Sequence, residues 1–202
     1  YSEVKGYSDA ARTLFTDLQI VNYNSYDSFG NVLNQTIDTY TSTTVIAANL
    51  VDSKVIVNVY SNDVAARRGN ASQSTVSRYT STTTRDNTTL IDQNLTNTTS
   101  FDSLGNALTQ TQDKSVLNAS SVLVQVTHRD ITNSGYNNRG DASVQQITTT
   151  QIDGAASTVV NYQVFSNRSF DVGHNVLNQR VTTYTVSGGT FLDCQEIRGS
   201  AF

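Results

Sequence analysis

The chain has 202 residues, a formal charge of −4, and charged side chains at 15% of the total. That balance gives no cationic surface for nucleic acid or an anionic membrane, and no apolar run reaches membrane-spanning length. A single Cys, Cys194, excludes an internal disulfide and is expected to be a small buried residue.

The chain contains no Met, Trp or Pro, where average usage would give about ten prolines. Without Met, a processed mature form or a fragment is expected. Without Pro, which removes a ladder donor, strand can run almost anywhere. Thr, Val and Tyr suit half-buried pleated surfaces, and Asn, Ser and Gly suit the turns between them.

Residues 1–17 form a front tail carrying Val4, Tyr7, Leu14 and Phe15. Its Ser8-Asp9-Ala10-Ala11-Arg12-Thr13-Leu14-Phe15 stretch holds the only helix signal, enough for a turn or two. From Leu18 to Val186 the chain repeats. Residues 25–41, which include Tyr26-Asp27-Ser28-Phe29-Gly30-Asn31, align without gaps to 169–185, which include Phe170-Asp171-Val172-Gly173-His174-Asn175. A third copy is Phe101-Asp102-Ser103-Leu104-Gly105-Asn106. Weaker copies begin at Arg68-Gly69-Asn70 and Arg139-Gly140-Asp141. The spacing of roughly 35 residues marks a repeat architecture. Each copy reads as a hairpin turn followed by a Thr-rich strand with a Gln near its start, Gly accepting a positive φ and Asn or Asp closing the turn.

Second turns fall near Leu50-Val51-Asp52, Leu117-Asn118-Ala119 and Asp153-Gly154-Ala155. Between turns the apolar residues alternate, so Val55, Val57, Val59, Val122, Val124, Val126, Val160, Tyr162 and Val164 are expected in a core between two sheet layers. Lys54, Asn58, Gln125, Asn161 and Gln163 should point away. Runs of about 12 residues imply strands near 40 Å. The expected fold is all-β, repeated long antiparallel hairpins forming a two-layer sandwich or flattened barrel. The tails 1–17 and 187–202 lie outside the repeated domain 18–186.

The aromatic-Asp-x-x-Gly-Asn motif resembles the tyrosine-aspartate repeats of large bacterial secreted shell and fibre proteins. The resemblance covers the turn motif in three copies. It implies an extracellular compartment and an architecture of repeated hairpins, and no activity.

Chemistry is sparse. His128 stands beside Arg129-Asp130, where it could meet a carboxylate, and His174 occupies a turn position held elsewhere by Gly. Two His and one Cys are too few for zinc. Residues 130–141 offer Asp130, Asn133 and Asp141 at calcium-loop spacing, though with few carboxylates. Arg139-Gly140-Asp141 matches an integrin-ligand tripeptide but sits at the repeat's own turn. Of the N-x-Ser/Thr sequons, Asn87, Asn94 and Asn97 fall in a loop-like cluster that suits surface glycosylation.

No catalytic set and no cofactor are expected. The residues point to a structural subunit of an extracellular filament, a helical homopolymer assembled head to tail by β-strand addition through Val4, Tyr7, Leu14 and Phe15 of the front tail. The competing arrangement folds both tails back as edge strands of their own domain. The alternative function is an adhesive or carbohydrate-binding β-sandwich module.

Overall fold

The computed structural model describes residues 1–199. Its strands are β1 (Ser2–Tyr7), β2 (Phe15–Tyr26), β3 (Val32–Tyr40), β4 (Leu50–Val59), β5 (Gln73–Tyr79), β6 (Leu90–Phe101), β7 (Ala107–Leu117), β8 (Leu123–Tyr136), β9 (Ala142–Asp153), β10 (Ala156–Phe170), β11 (Val176–Tyr184) and β12 (Phe191–Arg198). Hydrogen-bonded order follows chain order from β1 to β12, giving one antiparallel sheet of long hairpins. The repeated-hairpin expectation holds. The flattened barrel does not, because the sheet is not closed.

Local chemistry sets the turns. Asp27 N–H donates to Asn31 O at 2.9 Å and Gly30 N–H to Asp27 O at 3.2 Å, with Gly30 at φ +85°. This is a three-residue loop ending in a left-handed residue, a common way to join twisted strands. Asp153-Gly154 also turns as expected, Asp153 pairing with Ala156 and Gly154 standing at φ +60°. The turn expected at Leu50 lies earlier. Residues 41–49 make it, with a 3-10 turn at Ala47–Asn49, and Leu50 already opens β4. Residues 8–14 form a turn rather than helix, because the Asp9 carboxylate takes the N–H groups of Thr13 and Leu14 at 2.9 and 2.6 Å. The one α-helical turn among the described residues, α1 (Asp63–Ala66), is not signalled by periodicity. Asn62 caps it by accepting from Ala65 N–H at 2.9 Å.

The contacts divide the chain into two compact units. The first comprises Tyr1–Ser61, Ala71–Leu95 and Lys114–Val124. Its buried apolar residues are Leu18, Val21 and Tyr40, and Leu18 pairs directly with Tyr40 across β2 and β3. Buried beside them are polar residues, among them Asp38, Asp52, Ser53 and Asp92. The second unit comprises Asn62–Asn70, Thr96–Asp113 and the chain from Gln125 onward. It buries Ala65, Ala66 and Val181, together with Asn106, Asn133 and Asp141.

The expected valine core is not there. Val57, Val59, Val122 and Val160 are exposed, and Val55, Val124, Val126, Tyr162 and Val164 are half-buried. The opposing set, Lys54, Asn58, Gln125, Asn161 and Gln163, is half-buried too. Alternation separates two faces of a strand but does not say which is covered. Here the polar set is the better covered: none of its five members is exposed, against four of the nine apolar residues. Cys194 is likewise exposed rather than buried, on a strand whose every side chain is exposed.

The tails are strands. β1 pairs with β2 from Ser2↔Val21 to Tyr7↔Phe15, and β12 pairs with β11 from Tyr184↔Phe191 to Asn178↔Arg198. Extended backbone must place its N–H and C=O groups, and the nearest ladder takes them. Residues 200–202 of the expected back tail lie outside the described residues.

Candidate functional site

The repeat motif builds one loop several times. Asp27 Oδ1 accepts from the N–H of Phe29 and Asn31 at 2.9 and 2.8 Å, and Asn31 Nδ2 returns to Asp27 Oδ2 at 2.8 Å. Asp102 with Asn106, and Asp171 with Asn175, repeat this pattern with the same 2.8 Å amide-to-carboxylate bond. The Asn31, Asn106 and Asn175 amides, helped by the loop's backbone donors, hold the carboxyls of Asp27, Asp102 and Asp171 below the ordinary range, and the Leu14 backbone N–H does the same for Asp9. His174 takes the left-handed position at φ +68°, where its sister loops have Gly. It is an exposed turn residue, as the repeat frame implied.

In the second unit these loops are tied side by side. Arg68 donates to Leu104 O at 3.1 Å and Arg139 O at 3.4 Å, and Asn70 Nδ2 donates to Gly105 O at 2.9 Å. Arg139 Nη2 reaches Asp171 O at 2.9 Å and Asp141 Oδ2 at 2.8 Å, and His174 Nδ1 meets Asp141 Oδ1. Gly105 permits this approach: a Cβ there would lie 2.8 Å from the Ala65 backbone. The Arg139-Gly140-Asp141 tripeptide is thus engaged in the loop row.

A second recurring device locks neighbouring strands. Asn58, Asn133 and Asn167 each donate Nδ2 to the carbonyl of a residue that follows a loop: Val32 at 2.9 Å, Ala107 at 3.1 Å and Ala142 at 2.9 Å. The repeat's glutamines serve the same system. Gln145 and Gln179 lie directly opposite Asn133 and Asn167 and donate to their Oδ1 atoms at 2.9 and 2.7 Å. Amide ladders of this kind supply both donor and acceptor at each step.

Charges pair across strands. In the first unit Arg78 forks onto Asp92 at 2.8 and 2.7 Å, Lys114 lies 3.3 Å from Asp92, and Asp52 sits 3.6 Å from Arg78 and 3.7 Å from Lys54. The Arg78 fork, with Lys114, holds the Asp92 carboxyl below its ordinary range. Asp52 Oδ1 is buried without a hydrogen bond. In the second unit His128 Nδ1 meets Asp113 at 2.5 Å and Nε2 meets Asp130 at 3.2 Å, and Asp113 chiefly raises the imidazole's pKa. His128 does meet carboxylates, but no nucleophile accompanies it among its hydrogen-bond partners.

The calcium candidates are not brought together. Residues 130–136 are strand rather than loop. Asp130 serves His128, Asn133 serves Ala107 and Gln110, and Asp141 is held by Asn137, Arg139 and His174. Among the described residues no cluster of three His, Cys, Asp or Glu could hold a metal. Of the glycosylation candidates, Asn87 is exposed in a loop and donates to Ser121 O at 3.2 Å. Asn94 and Asn97 are half-buried in β6, because the Thr residues around them favour strand over loop. The assembly candidates lie on or beside β1. Val4, Tyr7 and Leu14 are exposed, and Phe15 packs edge-on against Tyr7 with ring centres 6.0 Å apart.

The open edges are the other notable surface. β1 pairs only with β2 and β12 only with β11 in the described sheet. All eight side chains of β12 are exposed, Phe191, Leu192 and Ile197 among them. No protein-family model, curated protein or solved structure matches the chain.

Proposed function

We propose that the chain is a structural subunit of an extracellular filament, joined to further copies by adding strand to strand at its open sheet edges. The observation that carries this reading is β12, a strand of eight residues with one ladder neighbour and apolar side chains in water on both faces. Natural edge strands are blunted by Pro, charged side chains, bulges or a covering element. β12 has no Pro; it carries Asp193, Glu196 and Arg198 and one register shift near Phe191, and β1 carries Glu3, Lys5 and one shift at Gly6/Tyr7, which leaves most of each edge ladder regular. Strand addition would satisfy the outer backbone groups and cover Leu192 and Ile197 in one step. The extracellular compartment rests on the likeness of the Asp-x-x-Gly-Asn hairpins to secreted bacterial repeats.

Sedimentation of the purified chain tests the reading. Species growing with concentration are expected, and the Leu192→Lys, Ile197→Lys double variant should shift them towards monomer. A chain that stays monomeric at every concentration, or a double variant that assembles unchanged, would overturn it.

A further inference from the structure

The second unit contains a cleft of about 250 Å³ in which amide side chains make up more than half of the lining residues. Asn70, Asn106, Gln110, Asn133 and Gln145 line it together with Tyr136. No Asp, Glu, Lys, Arg or His lines it. Small residues, Ala107, Ala142 and Gly140, complete the wall. Gly140 keeps it open: a Cβ there would come 2.9 Å from Asn106 Oδ1 and 2.9 Å from Arg68 Nη2.

The donors of this cleft are engaged, while several acceptors are spare. Asn106 is only 3% exposed, and its Nδ2 is spent on Asp102. Its Oδ1 accepts no hydrogen bond among the described residues. Asn70 donates to Gly105 O and Gln145 to Asn133, and the side-chain oxygens of both are likewise without a donor there. Burial raises the Tyr136 phenol above its ordinary range, so it stays neutral, and it donates to Ala107 O. Asn106 is buried, while Asn70 and Gln145 are half-buried beside it, so these oxygens stay open to the cleft rather than sealed from it. Three spare acceptors at one cleft suit a ligand rich in neutral O–H donors.

We propose that the cleft binds a single neutral sugar ring, whose hydroxyls donate to Asn70, Asn106 and Gln145 and whose C–H face meets Tyr136, Ala107 and Ala142. The volume lies just below the roughly 300–1,000 Å³ of drug-sized sites, which suits one ring rather than a chain. An uncharged wall favours a neutral sugar over a uronate or a sugar phosphate, and without carboxylates it offers little to calcium. The site is independent of edge assembly and stands whether or not the chain polymerises.

The test is titration of the isotope-labelled chain with glucose, galactose, mannose and N-acetylglucosamine, followed by its backbone and side-chain amide resonances. Saturable shifts are expected at Asn70, Asn106 and Gln145, with one sugar preferred. Gln145→Ala should weaken binding at least about tenfold, and Gln163→Ala, outside the cleft, should leave it unchanged. Asn70→Ala replaces Gln145→Ala if that variant does not fold. The proposal is overturned if none of the four sugars gives saturable shifts there, if calcium chloride moves these resonances and the sugars do not, or if the folded cleft variant binds as the parent does.

Discussion

Asn137 donates Nδ2 to Asp141 Oδ2 at 2.8 Å, so amide and acid stand in the reverse order to Asp27 and Asn31, which are joined at the same distance. The backbone bonds match as well: Asn137 Oδ1 accepts from the N–H of Arg139 and Asp141 at 2.9 and 3.0 Å. The loop needs one acceptor for its backbone and one donor to close it, and either order supplies both. Asn137→Asp alone would set two carboxylates face to face. Its melting temperature is expected to fall at neutral pH and recover towards the parent in acid, where one carboxyl is protonated. The Asn137→Asp, Asp141→Asn double variant should regain most of the loss at neutral pH, as thermal melts would show.

Gly30 and Gly105 share a left-handed backbone, φ +85° and +82°, in sister loops. They differ in what surrounds them. Nothing lies within 4 Å of a Cβ at Gly30, whereas one at Gly105 would strike Ala65. Gly30→Ala should cost about 1 kcal/mol, the backbone penalty alone. Gly105→Ala should cost at least about 3 kcal/mol, since backbone must also move. Denaturant melts of the two variants check the difference.

Arg78→Met should destabilise the chain by about 2 kcal/mol, less than for a fully enclosed pair because the Arg78 side chain is 36% exposed. The variant leaves Asp92 with Lys114 alone. In the parent the depressed Asp92 carboxyl contributes stability that is present above its ordinary pKa of 3.8 and lost as pH falls through the lower folded value. Acid melts should therefore converge for parent and variant.

His128 works in the opposite direction. Its raised pKa gives stability that is fully present below the ordinary 6.5 and lost as pH rises through the folded value. Parent stability should decline across that window, and His128→Gln should flatten the decline. Titration of the His128 ring resonances would give the folded pKa directly.

What was legible in the sequence was local. Asp27, Gly30 and Asn31 close a turn within five residues, so their spacing alone signals it. Asp153-Gly154 does the same. The charge row was not legible, because Asp52, Arg78, Asp92 and Lys114 meet only once the strand registers are set. The Asn58, Asn133 and Asn167 locks join residues 25 or 26 positions apart. Their trace in the sequence is the recurrent Gln after each turn, whose partner only the strand register reveals. α1 was hidden because Arg68-Gly69-Asn70 reads as another copy of the turn, while Asn62 opens a helical turn before it. The valine core failed for a different reason. Val57 and Asn58 alternate as a half-buried strand should, yet Val57 is exposed and Asn58 half-buried, because alternation separates two faces without saying which is covered.

The most direct test of the structural-subunit reading is electron microscopy of the purified chain, with reconstruction of any filament it forms. Filaments are expected in which an outer edge strand, β1 or β12, is hydrogen-bonded to a neighbouring copy, and they should be lost in the Leu192→Lys, Ile197→Lys variant. Dispersed single particles at high concentration, or filaments in which both edges face solvent, would contradict it.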